Sequence, residues 1–225
     1  MKYLKLFENF EDIHKICKKY KIKNYTINPD GSIDVYGHIY LQRIELTKLP
    51  IKFNHVSGDF WCYRNNLTTL EGCPKSVGSF DCSYNKLTTL EGCPKSVGSS
   101  FYCDNNKLTT LEGCPKSVGR GFDCYSNNLT TLEGCPKSVG SFFNCQFNKI
   151  LSFEGAPNNV GGNFNCVGNP IINIWNLFKD YSKVELLNDL DAIRGKDILM
   201  DRLNTFLSMI GLDEVESVKG YNCIN

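Results

Sequence analysis

Histidine is scarce in this sequence, with only His14, His38 and His55, and the three share no motif. There is no Gly-rich phosphate loop, zinc signature or nucleophile elbow. No Cys-x-x-Cys pair is available for zinc or redox work. These absences leave no catalytic centre to name, and each histidine is expected to be structural. Neither a cofactor nor a metal is expected. An excess of one charge is also missing: 25 Lys and Arg stand against 24 Asp and Glu, a net charge of +1. That balance offers no general attraction to nucleic acid or to an anionic membrane. Long apolar runs are absent too. The start, MKYLKLFENF, is charged within its first eight residues, so neither a signal peptide nor a transmembrane span is expected. Cys223 stands third from the end, which is not a prenylation box.

What is present is repetition. The string LTTLEGCPKSVG occurs verbatim four times, from Leu67, Leu87, Leu108 and Leu129, at spacings of 20, 21 and 21 residues. A unit this short cannot bury its own apolar face, so it must stack on its neighbours. Between copies lies a variable segment built on Phe-x-Cys-x-x-Asn. It sets out an aromatic ladder (Phe60, Phe80, Phe101, Phe122, Phe143, Phe164) and a cysteine ladder (Cys62, Cys82, Cys103, Cys124, Cys145, Cys166). A spacing of two on an extended chain puts both on one face. Three residues on comes an asparagine ladder: Asn65, Asn85, Asn106, Asn127, Asn148 and Asn169. Its amides are expected to bond main-chain groups of adjacent turns that the core would otherwise strand.

The segment Val77-x-x-Phe80-x-Cys82-x-x-Asn85-x-Leu87 resembles the leucine-rich-repeat pattern LxxLxLxxNxL, with Phe and Cys in place of leucines. Unit length and the position of Pro look most like the short bacterial-effector subtype, although Leu-Glu-Gly-Cys-Pro here replaces its Leu-Pro-x-Leu-Pro. The resemblance covers roughly residues 39–171. It implies an α/β solenoid: a horseshoe-like parallel sheet with a mostly irregular convex side. Such effectors often carry a ubiquitin-ligase domain after the repeats. Only residues 173–225 follow here, with the single Cys223, so that activity is not carried over. The leader also resembles the M-K-x-x-K-x-F-E-x-F starts of many tailed-bacteriophage proteins, which implies a viral origin.

Twelve cysteines could suggest a disulfide framework. Yet parallel neighbours stand about 4.8 Å apart, whereas disulfides hold Cβ atoms near 3.8 Å. Cys73, Cys93, Cys114 and Cys135 form a second ladder whose next member is Ala156, a small apolar substitute. Reduced, buried thiols are expected, and with them a reducing, cytoplasmic setting.

Three regions are expected. Residues 1–36 read as a helix and hairpin cap. Leu6, Phe10, Ile13, Cys17 and Tyr20 make one apolar face and Lys15, Lys18, Lys19, Lys21 and Lys23 a solvated one, and Asn28-Pro29-Asp30-Gly31 is the hairpin turn. Residues 37–172 read as the solenoid, opening on a degenerate repeat with Ile44 in the asparagine position. Residues 173–225 read as a helical cap. Ser182 is expected to open a capping box with Glu185, Gly195 to end that helix, and a second helix to span about 197–210.

Function is sought where the copies differ. The variable positions make three columns: Trp61, Asp81, Tyr102, Asp123, Asn144, Asn165; Tyr63, Ser83, Asp104, Tyr125, Gln146, Val167; and Arg64, Tyr84, Asn105, Ser126, Phe147, Gly168. All are expected on the concave sheet, away from the core. Trp61, Tyr63, Arg64, Tyr84, Tyr102, Tyr125 and Phe147 supply anchors of the kind protein interfaces use. Asp81, Asp104 and Asp123 suit a basic segment on a partner. The expectation is a non-catalytic protein-binding module, not an enzyme, that acts, if viral, on a host protein. A carbohydrate-binding protein, or a virion-packaged protein cut at Leu6-Phe7-Glu8, are the alternatives. The partner's identity and the oligomeric state are not readable from the sequence.

Overall fold

The computed structural model describes the backbone of residues 2–225 and the side-chain surroundings of residues 10–225. The expected packing of Leu6 and the motif Leu6-Phe7-Glu8 concern side chains outside the described residues.

Each repeat contributes two very short strands, one on either side of a corner. Ser-Val is extended and pairs in parallel with its counterpart in the next coil, Ser76 with Ser96 and Val77 with Val97. After a small linker, Phe-x is extended and does the same, Phe80 with Phe101 and Asp81 with Tyr102. The outcome is a first sheet of eight strands and a second sheet of seven. Repeated short strands in parallel sheets are consistent with a repeat solenoid. The far side is therefore not mostly irregular, as the sequence suggested. A strand of two residues with one buried valine carries no readable alternation.

The core lies between the sheets. Phe rings of successive coils stack with centroids 5.3–5.8 Å apart from Phe60 to Phe164. Leu67, Leu70 and their equivalents are fully buried beside them. All twelve cysteines are free, and ten of them form the two ladders. Ladder thiols donate to carbonyls of the next coil, as Cys103 Sγ does to Asp123 O at 3.3 Å and Cys135 Sγ to Gly155 O at 3.0 Å. Burial holds these thiols protonated: Cys93 and Cys135 are pushed up to about 12.

The asparagine ladder clamps coil to coil. Asn127 Nδ2 donates to Cys103 O of the preceding coil at 3.1 Å and to Cys124 O of its own at 3.1 Å, while its Oδ1 accepts from Leu108 N at 3.0 Å. Asn85, Asn106 and Asn148 repeat the pattern. The invariance of LTTLEGCPKSVG also has local causes. Thr69, Thr110 and Thr131 accept from the N–H of the following Glu. Gly92 sits at φ +84° with Leu70 O 2.9 Å from where a Cβ would be, so any side chain would strain the turn and press on the coil before.

Helix α1 spans Lys2–Lys19 and buries Ile13 and Cys17, with the five lysines exposed. Strands β1 (Tyr25–Ile27) and β2 (Ile33–Val35) form the expected hairpin. Strand β2 then pairs in parallel with Phe53–Val56, so the hairpin is the start of the first sheet rather than a separate cap. The degenerate repeat is real: Ile39–Tyr40 pairs with Phe60–Trp61, and Leu41 fills the cysteine position. Ile44 is 43% exposed, and its N–H is held by Asn65 Oδ1.

The C-terminal region contains more than helices. After α2 (Ile172–Phe178), Asp180 rather than Ser182 is the cap, accepting from Ser182 N at 3.0 Å ahead of a 3₁₀ turn. Asp is as good a cap as Ser, and its position two residues earlier lets the turn form first. Helix α3 covers only Val184–Asp189. Gly195, at φ +61°, turns a hairpin between Ile193–Arg194 and Asp197–Leu199 instead of ending a helix. Helix α4 therefore starts at Met200 and runs to Met209, and Asn222–Ile224 completes a three-stranded sheet. This region closes the end of the core. Trp175 and Tyr181 lie on Phe164 at 5.2 and 4.9 Å. Tyr181 Oη, Asn188 Nδ2 and Tyr221 Oη donate to Pro157 O, Phe153 O and Leu151 O, carbonyls of the last coil.

Asn127→Ala is expected to cost about 3 kcal/mol in urea unfolding, because several buried main-chain groups lose their partner at once. A loss below about 1 kcal/mol would contradict the clamp. Under native conditions a thiol reagent should label Cys223 rapidly and the eight buried ladder cysteines only on unfolding, with the partly exposed Cys73 and Cys114 in between. Rapid native labelling of buried ladder positions would count against the packing.

Candidate binding face

The open face of the second sheet carries the variable residues, but the three columns differ in kind. The first column lies on the strands themselves and is half-buried throughout, from Trp61 to Asn165. Its acidic members serve their own backbone. Asp81 Oδ1 accepts from Ser83 N at 2.9 Å and from Ser83 Oγ at 2.6 Å. Asp123 Oδ1 accepts from Tyr125 N at 2.9 Å, and its Oδ2 from Asn144 Nδ2 at 3.1 Å. Asn144 and Asn165 make the same bond to Gln146 N and Val167 N. The recurrence of Asp or Asn at Asp81, Asp123, Asn144 and Asn165 thus has a structural source, a short side-chain acceptor two residues before the N–H it binds.

In the second column Ser83 is buried, Tyr63, Asp104, Tyr125 and Gln146 are half-buried, and Val167 is exposed. Asp104 accepts from Asn105 Nδ2 at 2.8 Å. The third column is off the strands. Arg64, Tyr84, Asn105, Ser126 and Phe147 all have φ of 52–53°, and Gly168 completes the left-handed column. These side chains mark a turn along one rim, not the flat of the sheet as the sequence suggested. Period-two reasoning stops at the first left-handed residue. Tyr84 and Phe147 are nonetheless 47% and 52% exposed there.

Aromatic and cationic groups associate in pairs across neighbouring coils. Tyr40 meets Trp61 edge-on at 5.1 Å, and Tyr125 meets Phe147 at 5.4 Å. Arg64 lies over Tyr84 at 4.8 Å, and Arg43 over Tyr63 at 5.8 Å. Tyr40 and Arg43 were missing from the sequence candidates, although Ile39-Tyr40-Leu41 puts Tyr40 in the first column. Tyr102 pairs in register with both Asp81 and Asp123. Between the aromatic ends, Asp81, Asp104 and Asp123 form an acidic middle. Burial, and secondarily their mutual repulsion, raises the pKa of Asp81 and Asp123, and burial raises that of Asp104.

The histidines lie in local bonds: His14 Nδ1 with Tyr25 Oη, His55 Nδ1 with Ser76 Oγ, and His38 Nδ1 accepting from Asp59 N. Among the described residues no group of three or more His, Cys, Asp or Glu is placed to hold a metal ion, and no helix is long and apolar enough to cross a membrane. Comparisons with protein-family models, curated proteins and solved structures gave no match to this chain.

Raised carboxylate pKa values have a definite sign. Stability contributed by protonation is present below the unfolded-state pKa and is lost as pH rises through the folded-state value. Asp81→Asn preserves the bonds that Oδ1 accepts from Ser83 N and Ser83 Oγ, as Asn144 does for Gln146 N, and removes the half-buried charge. The variant should therefore be more stable than the parent at pH 7, with the advantage shrinking as the pH falls through the carboxylate range. Thermal melts across that range decide it, and an advantage that grows on acidification would contradict the assignment.

Proposed function

We propose that this chain is a non-catalytic member of the leucine-rich-repeat class that binds a partner protein through the open face of its second sheet. The observation that carries the reading is the concentration of partly exposed Trp and Tyr on the second sheet, with Arg64, Tyr84 and Phe147 along its rim, on a scaffold held in register coil by coil. Such side chains are costly to leave in water and dominate interface energies. Asp81, Asp104 and Asp123 between them suit a lysine- or arginine-bearing segment, whose charge would compensate carboxylates that burial desolvates. The buried Asn ladder at a fixed place in each coil supports the class. The leader supports a viral origin, in which case the partner is a host protein.

Carbohydrate binding is the second reading. It is favoured by Tyr102, a half-buried ring flanked in its column by the carboxylates of Asp81 and Asp123.

Affinity purification from the native host should recover a protein with the parent chain and lose it with the Trp61→Ala, Tyr84→Ala, Tyr102→Ala triple variant. Two interface anchors at about 2 kcal/mol each already weaken binding roughly a thousandfold. Equal recovery with the triple variant would contradict the reading. Glycan binding that Tyr102→Ala abolishes would favour the second.

A further inference from the structure

The last coil of the first sheet ends in an unpaired edge. Elsewhere in that sheet each coil passes two carbonyls to the next: Lys75 O accepts from Lys95 N at 3.0 Å, and Val77 O accepts from Gly98 N at 3.1 Å. The pattern runs on through Lys137 O, which accepts from Asn158 N, and Val139 O, which accepts from Gly161 N. The corresponding acceptors of the final strand, Asn158 O and Val160 O, accept no hydrogen bond among the described residues. The C-terminal region covers the interior of this coil through Trp175 and Tyr181 and bonds Leu151 O, Phe153 O and Pro157 O. It stops short of the strand edge. Asn158 and Asn159 stay exposed.

A groove of about 570 Å³ runs beside that edge. One wall is the chain from Gly155 to Val160, and the other is Tyr181 and the start of α3. Ala156, Tyr181 and Val184 give it an apolar lining, while Glu185 and Asp189 on one helix put two carboxylates along its wall against the single ammonium of Lys137. The main-chain acceptors call for an extended donor, the lining for an apolar side chain, and the charge balance for a cation.

We propose that this edge takes up an extended peptide segment of a partner protein, as an added strand whose N–H groups donate to Asn158 O and Val160 O. An apolar residue of that segment sits over Ala156, Tyr181 and Val184, and a neighbouring lysine or arginine meets Glu185 and Asp189. A strand edge left open beside a groove is the geometry that strand addition uses. This site is separate from the aromatic face of the second sheet, and neither depends on the other.

The probe is a blocked peptide of alternating valine and lysine, titrated into the full-length, isotope-labelled chain and followed by amide chemical shifts and calorimetry. Saturable shifts confined to residues 155–162 and 181–189 are expected. The same peptide with its central N–H groups methylated should bind at least about tenfold more weakly, since the main-chain bonds to Asn158 O and Val160 O can no longer form. Glu185→Lys with Asp189→Lys lies on an exposed helix face and should keep the parent's melting behaviour while also weakening binding at least about tenfold. No saturable shift at this edge, equal binding of the methylated peptide, or equal binding to the double variant would overturn the proposal. So would sedimentation showing that the edge is already occupied by a second copy of the chain.

Discussion

The structure depends on one buried side chain used over and over. Each ladder asparagine sits where the chain leaves a strand and turns left-handed, and there it answers main-chain groups of two coils at once. Without it, each turn would leave polar groups facing a core of phenylalanine rings and thiols, and an unanswered buried amide costs far more than a made bond returns. This explains why two-residue strands suffice. Neither sheet has much ladder of its own per coil, but the asparagine adds bonds just beyond it and fixes the register by which Phe stacks on Phe. Where the first coil has Ile44 instead, Oδ1 of Asn65 in the next coil takes Ile44 N in addition to Leu46 N, the bond that the later coils also make.

The second consequence is a division of labour around each coil. One arc of the surface is constant because it is employed: Thr hydroxyls hold the turn before Gly, glycine lets neighbouring coils approach, and Lys95 Nζ reaches forward to Gly113 O of the next coil. The opposite arc varies because only its inward side chains are constrained. Even there the freedom is partial, since Asp81, Asp123, Asn144 and Asn165 of the first column each supply an acceptor for the N–H two residues on, while Trp61 and Tyr102 do not. The acidic middle is then partly a by-product of turn chemistry. What turn chemistry does not require is the aromatic content, and Tyr84, Phe147 and Tyr40 remain as the residues whose exposure has no structural employer.

Much of this was legible in the residues themselves. A verbatim repeat with apolar residues and an asparagine at constant offsets leaves stacking as the only way to bury Phe80 or Cys82, and the closing role of residues 173–225 follows from the bare end such a stack must have. Three things were not legible. The Ser-Val sheet was hidden because Ser76-Val77 is too short to show a period. The third column was misplaced because Arg64 and Tyr84 are not residue types that announce a left-handed turn. The C-terminal hairpin was missed because Asp197-Ile198-Leu199 runs directly into Met200 with no breaker between them, so strand and helix read as one apolar segment.

The central claim is that the molecule is a stack whose coils are interchangeable units held by neighbour contacts alone. Excision of one whole unit, residues 108–128, tests it most directly, because the cut rejoins Lys107 to Leu129 in the same position of the pattern. Urea unfolding followed by circular dichroism should show a single cooperative transition, with a denaturant slope reduced in proportion to the lost coil. An excised chain that fails to fold, or unfolds without cooperativity while the parent does so in one step, would contradict the account.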